Sequence, residues 1–177
     1  MTRRRLLAGV ALVVVASWAP LRAESLRIIP LVDDKHVMVT LEMSEAWGED
    51  VREIIESGLR TTFTYDLELR MVVPGWVDRT VATAVVSLVD EYDNLTRRHR
   101  LTRLVDGRTD EAIVTEDETV VQRWLTTISR LPLCSVKKLE RNRDYYVRVR
   151  VRKKPQRDFP FPWSGPITAQ AKFTFIP

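Results

Sequence analysis

The stretch Leu59-Arg60-Thr61-Thr62-Phe63-Thr64-Tyr65-Asp66-Leu67-Glu68-Leu69-Arg70-Met71-Val72-Val73 decides the fold class. Leu59, Thr61, Phe63, Tyr65, Leu67, Leu69, Met71 and Val73 alternate with Arg60, Thr62, Thr64, Asp66, Glu68 and Arg70. Successive side chains of a strand point to opposite faces. A period of two held this long therefore predicts a long strand with one buried face. Pro74-Gly75 follows as a turn. Residues 79–92, rich in Val and Thr, answer as the returning strand. Asp93-Asn94 turns the chain again, and residues 95–105 make a third strand carrying Arg97, Arg98, Arg100 and Arg103. Asp106-Gly107 is a hairpin signal, with a short strand near residues 111–115.

Upstream, the apolar runs 25–31 and 36–43 flank the polar turn Val32-Asp33-Asp34-Lys35 and predict a hairpin. Ser44 is an expected helix cap, because its hydroxyl can accept a free N–H of the first turn. Trp47, Val51, Ile54 and Ile55 form one helical stripe, and Gly58 suits the position after the helix. Downstream, Thr115-Glu116-Asp117-Glu118 has the spacing of a capping box with Thr115 as the cap. Val120, Val121, Trp124, Leu125 and Ile128 form the stripe of the helix it opens, and Pro132 is expected to close it. In residues 145–152, Tyr145, Val147, Val149 and Val151 alternate with Tyr146, Arg148, Arg150 and Arg152. Residues 153–166 read as an extended Pro/aromatic loop and residues 167–176 as a last strand. Neighbouring strands joined by short turns, with two amphipathic helices inserted, predict an α+β domain. Its sheet is mostly antiparallel, with about seven to nine strands.

The 177 residues are 45% hydrophobic and 29% charged, enough apolar material for one domain with its own core. Six Gly and nine Pro exclude collagen-like and low-complexity classes, and one Cys excludes an internal disulfide framework. The formal charge of +4 would suggest a nucleic-acid binder if it were spread through the fold. It is not. Residues 1–23 hold Arg3, Arg4, Arg5 and Arg22 without an acid, and removing those four from 28 Lys and Arg leaves 24, equal to the 24 Asp and Glu. Arg3-Arg4-Arg5, the apolar run 6–19 and the small residue Ala23 make the three-part pattern of a bacterial signal peptide. The run is shorter than the roughly 20 residues that span a bilayer. A cleaved leader over 1–23 and a single α+β domain over 24–177 are therefore expected. An uncleaved N-terminal membrane anchor is the other reading. The expected location is the periplasm of a Gram-negative cell, otherwise the outside of the cell.

Three stretches carry a family resemblance. They are Glu56-Ser57-Gly58-Leu59-Arg60-Thr61-Thr62-Phe63-Thr64-Tyr65-Asp66-Leu67-Glu68-Leu69, Leu95-Thr96-Arg97-Arg98-His99-Arg100-Leu101, and Tyr145-Tyr146-Val147-Arg148-Val149-Arg150-Val151. With the leader, they resemble the bacterial exported family catalogued as domain of unknown function 4390. The resemblance implies a place in the cell envelope and supplies no catalytic residues.

No motif calls for a metal, a cofactor or a catalytic mechanism. His36 and His99 are the only histidines, and no second His lies at ligand spacing from either. Cys134 lies in an apolar run, where a thiol behaves as a small hydrophobe. Glu116-Asp117-Glu118 complements a helix dipole. The phosphate-loop and nucleophile-elbow patterns are absent from the sequence.

The arginines carry the functional expectation. Arg148, Arg150 and Arg152 share one strand face, and Arg98 and Arg100 share another. If the two strands are close they form a cationic stripe, suited to an acidic protein, an anionic lipid or a glycan. The competing reading balances them against Asp66, Glu68, Asp90 and Glu91 on neighbouring strands. Phe161 and Trp163 join the candidate surface, either docking on a partner or membrane or covering the sheet's edge. The expectation is a non-enzymatic envelope interaction module that binds another envelope protein through a sheet surface. Peripheral membrane contact is compatible with it, and nucleic acid is not an expected partner. The alternative is a carrier holding a lipid or other apolar ligand between sheet and helices.

Overall fold

Alternation in the sequence becomes antiparallel sheet in the computed structural model, which describes residues 26–43, 47–155 and 167–176, with the backbone alone at 153–155. The expected leader 1–23, the expected cap Ser44, and residues 156–166 of the expected loop, with Phe161 and Trp163, lie outside the described residues, while residues 153–155, expected as loop, are strand because they pair with residues 61–63. The elements are β1 (Leu26–Val32), β2 (His36–Met43), α1 (Glu49–Glu56), β3 (Thr61–Met71), β4 (Arg79–Asp93), β5 (Arg98–Val105), β6 (Arg108–Thr115), α2 (Glu118–Thr126), β7 (Thr127–Ser135), β8 (Arg143–Pro155) and β9 (Ile167–Phe175). A single 3-10 turn, Val136–Lys138, leads from β7 towards β8.

The strands form two sheets, β1-β2-β7 and β6-β5-β4-β3-β8-β9, with every neighbour antiparallel. The long alternating stretch is β3, paired along its length with β4 on one side and β8 on the other. Its inner row, Phe63, Tyr65, Leu67 and Leu69, is buried against Ala84, Val86 and Leu88 of β4 and Val147, Val149 and Val151 of β8. Val37, Val39, Leu41 and Met43 of β2 belong to the same core, as do Val51 and Ile55 of α1 and Val121 and Leu125 of α2. The Tyr65 hydroxyl donates to the Leu125 carbonyl at 2.9 Å, which satisfies the one polar atom this aromatic brings inside. β1 runs beside β9, so the two sheets approach each other along that edge. The chain is a single α+β domain around one core.

Four local expectations need correction. The helix after β2 begins at Glu49 with Gly48 as its cap, which makes no side-chain cap bond. Ser44 therefore lies four residues before the capping position. Gly58 does follow the helix in the left-handed region, at φ +77°. The third strand starts at Arg98, not residue 95. The Asp93 carboxylate accepts the N–H groups of Leu95 and Thr96, which holds those residues in the turn, and Arg97 sits at φ +55°.

In the second helix the cap is Asp117, whose Oδ1 accepts the Thr119 N–H at 2.8 Å. Thr115 ends β6 and accepts from Asp117 N instead. Asp117→Ala should lower stability by about 0.5–2 kcal/mol, the range for a lost cap. Thr115→Ala should cost less, and urea unfolding of the two variants separates the readings.

Pro132 does not close α2. The helix ends at Thr126, and Thr127 adopts extended angles because β7 pairs with β2 from there. Ile128 continues the helical spacing of Val121 and Leu125, yet it is a buried strand residue opposite Leu41. Pro132 lies within β7, an edge strand, at a register shift between Val37 and Met38. A missing N–H is tolerated at such a place.

Candidate interaction surface

The outer face of the six-stranded sheet holds the polar half of each alternation. Arg148, Arg150 and Arg152 point outward from β8, opposite Glu68, Asp66 and Thr64 of β3 in register. Arg98 and Arg100 point outward from β5, opposite Asp93 and Glu91 of β4. The order β5-β4-β3-β8 puts two strands between the groups. At ~4.8 Å per step they are ~14 Å apart. The five arginines therefore do not form one stripe.

Most of them are neutralised. Arg152 makes a two-pronged contact with Asp66, both bonds 2.9 Å. Arg148 lies 4.0 Å from Glu68, with its guanidinium over the Tyr146 ring at 5.6 Å. Arg98 pairs with Glu116 at 2.9 Å. Arg100 and Arg150 make no ion pair among the described residues. Exposed pairs of this kind contribute at most about 1 kcal/mol each. Their consequence is local: they set where positive charge remains available.

Each remaining arginine lines a shallow concavity. A groove of about 290 Å³ runs across β4, β3 and β8, bounded by Thr83, Val85, Asp66, Glu68, Arg148 and Arg150. A second, of about 430 Å³, is bounded by Glu91, Asp93, Arg98, Arg100 and Val114 at the other side of the sheet. Both mix charge with an exposed aliphatic residue, Val85 in one and Val114 in the other.

A polar network braces the end of the outer face. Asp78 accepts from the Tyr146 hydroxyl at 2.9 Å and from the Val73 N–H at 3.3 Å. Those bonds hold its carboxyl below the usual carboxylate range, the tyrosine bond contributing most. Burial, with the bond to Asp78, pushes the Tyr146 hydroxyl up.

The sequence reading missed one pair. His99 Nδ1 lies 3.0 and 3.2 Å from the two carboxylate oxygens of Asp90, whose side chain is fully buried. The Tyr92 ring centroid is 4.5 Å from that of His99. A carboxylate on the apolar row of β4 was the available signal, since a buried charge requires a partner. Among the described residues the pair does not assemble an activated nucleophile. Thr115, across the ladder from His99, uses its hydroxyl to accept Asp117 N–H. Burial raises the Cys134 thiol, opposite to the activation a nucleophile needs. Among the described residues, no three His, Cys, Asp or Glu are placed to hold a metal ion. His36 is exposed, and the Asp33 carboxylate beside it accepts the backbone N–H groups of Lys35 and His36.

A family model described as "Domain of unknown function (DUF4390)" matches residues 19–164. No curated protein and no solved structure matches the chain.

Proposed function

We propose, from the premise that this chain belongs to the DUF4390 family, that it is a non-enzymatic interaction module of the cell envelope. Its docking surface for another envelope protein is the outer face of the six-stranded sheet. The observation carrying this reading is the pair of shallow grooves lined by Arg100 and Arg150, whose guanidiniums make no ion pair among the described residues. Arginine is enriched where proteins dock, because its planar fork binds carboxylates in two bonds while its stem covers apolar surface. The partner's matching chemistry is acidic with small apolar side chains, to meet Val85 and Val114. The carrier reading needs space between sheet and helices. Phe63, Tyr65, Leu125, Tyr145 and Val149 fill that interior with no more than 0% exposure. Export rests on the leader pattern of residues 1–23.

Crosslinking in cells followed by pull-down tests the proposal. Wild type should recover a reproducible envelope protein. Arg100→Glu/Arg150→Glu should recover at least about tenfold less, because charge reversal at an interface repels a complementary partner. The two changes put like charge opposite Glu91 and Asp66, a modest cost at an exposed face, so the unfolding midpoint, measured beside the pull-down, should fall by only a few degrees. Equal recovery by both chains would remove the outer face from the interaction.

A further inference from the structure

The β3–β4 connection presents two large apolar side chains to solvent. Val73-Pro74-Gly75-Trp76 forms a turn closed by Trp76 N–H donating to the Val73 carbonyl at 3.1 Å. Pro74 sets the second position and Gly75, at φ +76°, supplies the left-handed third, the requirement of a type II turn. The turn presents Trp76 at 82% exposure and Val77 at 73%. Turn tips ordinarily carry small polar residues, and an exposed Trp-Val pair loses the free energy that burying it would return. The base of the tip is fixed. Arg70 donates to the Asp78 carbonyl, and Asp78 is held by Tyr146 and Val73. The apolar pair is therefore held out from a braced hairpin.

The surroundings decide what it meets. Val72 N–H donates to the Asp144 carbonyl, Asn142 N–H to Phe175, and Val136 N–H to Lys35. Arg79 pairs with Glu140 at 2.6 Å. These links collect the tip, the segment between β7 and β8, the β1–β2 turn and the end of β9 at one pole. Ile176, 74% exposed, adds a third apolar side chain there. Lys35, Lys137, Lys138 and Arg141 make no ion pair among the described residues. The acids of this pole stay ionised: Glu140 faces Arg79 and Arg143, while Asp33, Asp78 and Asp144 accept hydrogen bonds from neutral donors that tie their carboxylates to the backbone and to Tyr146 and Thr174 and leave Lys137 and Lys138 uncontacted by them. Asp34 makes no ion pair among the described residues.

We propose that this pole docks on an anionic phospholipid surface, with Trp76 and Val77 inserted at the headgroup level and Lys137 and Lys138 against the phosphates. Tryptophan favours that depth because its ring is apolar while its indole N–H stays hydrated. Lysines on long stems keep their charge in the headgroup layer. Lysine is depleted in protein–protein interface cores, so a lysine-flanked Trp fits a bilayer better than a protein pocket. Two or three inserted side chains give weak, reversible binding that depends on lipid charge.

The test uses the full chain as purified from cells, with vesicles of phosphatidylcholine alone or mixed in equal parts with phosphatidylglycerol. Cleavage or retention of residues 1–23 is the same for every variant, so the differences between variants are read. Leu26 begins β1 at the end away from the Lys35 turn, so contact of the leader with lipid does not by itself bring Trp76 to the bilayer. Brominated phosphatidylglycerol should quench part of the tryptophan emission of wild type, and Trp76→Phe should abolish that part. Lys137→Gln/Lys138→Gln should weaken binding to anionic vesicles about fivefold per lysine, an effect that vanishes at high salt. Arg100→Glu/Arg150→Glu should change vesicle binding by less than about twofold, which separates this proposal from that for the outer face. Quenching unchanged in Trp76→Phe overturns it, as does equal affinity for neutral and anionic vesicles. Loss of a crosslinked protein in Trp76→Ser, with vesicle binding unaltered, also overturns it and makes the tip a protein contact.

Discussion

Leu67→Ala is expected to lower the unfolding free energy by about 2–5 kcal/mol, while Glu68→Ala, one residue along, changes it by less than about 1 kcal/mol. Leu67 is 1% exposed on the inner row of β3, between Ala84 and Val149 in register. Truncation removes its transfer free energy and leaves a cavity that two rigid ladders cannot close. Glu68 faces out, with Arg70 and Arg148 at 3.9 and 4.0 Å. Those loose contacts are screened by water. Denaturant titration of the two variants reads the difference directly. Similar losses at both positions would mean that the outer face is covered in solution.

His99→Leu is expected to destabilise by about 3–5 kcal/mol at neutral pH, because it leaves the Asp90 carboxylate buried without its partner. The pH dependence identifies the cause. Burial raises the Asp90 carboxyl above the ordinary carboxylate range, and the bond and charge of His99 pull it back. Deleting His99 removes that pull, so the carboxyl rises further. A carboxyl raised in the folded state holds its proton more tightly there than in the unfolded chain. Its stabilising contribution is complete below about pH 3.9, the unfolded value, and is lost as pH rises through the folded value. The deficit of His99→Leu relative to wild type should therefore grow as pH rises through the folded value of Asp90, above the ordinary carboxylate range. Asp90→Asn keeps the shape and removes the charge, so it should cost less and show no such slope. A deficit of His99→Leu that does not vary with pH would assign the loss to packing against Tyr92 instead.

The antiparallel sheet and its inner rows were legible in local order. Alternation in residues 59–73 and 145–152 needs no knowledge of the fold, because side-chain period follows from backbone geometry alone. The turns at Asp33, Pro74-Gly75 and Asp106-Gly107 were legible for a similar reason, since each depends on the φ or hydrogen bond of one or two residues. Helix ends were read less well. Ser44 and Thr115 have the chemistry of caps, but chain direction, not residue type, decided that Gly48 and Asp117 stand there. Val121, Leu125 and Ile128 share one helical spacing, and only the availability of β2 as a partner turned Ile128 into strand.

The surface was the least legible part. The sequence placed Arg98, Arg100, Arg148, Arg150 and Arg152 on outward rows, as the alternation required. Strand order separated them by two strands, and the same order supplied Asp66 and Glu68 as neighbours of the second group. The Asp90–His99 pair arose from a diagonal across the β4–β5 hairpin, visible only once Tyr92 faces His99 in register. The common pole of Trp76, Lys35, Lys137 and Ile176 came from segments as far apart as the first turn and the last strand. Which side of each strand is apolar follows from residue order, because that property repeats every two residues. Tertiary structure alone decided which charges meet and which stay free. Those distances depend on how strands are ordered, and strand order is set by packing of the whole core.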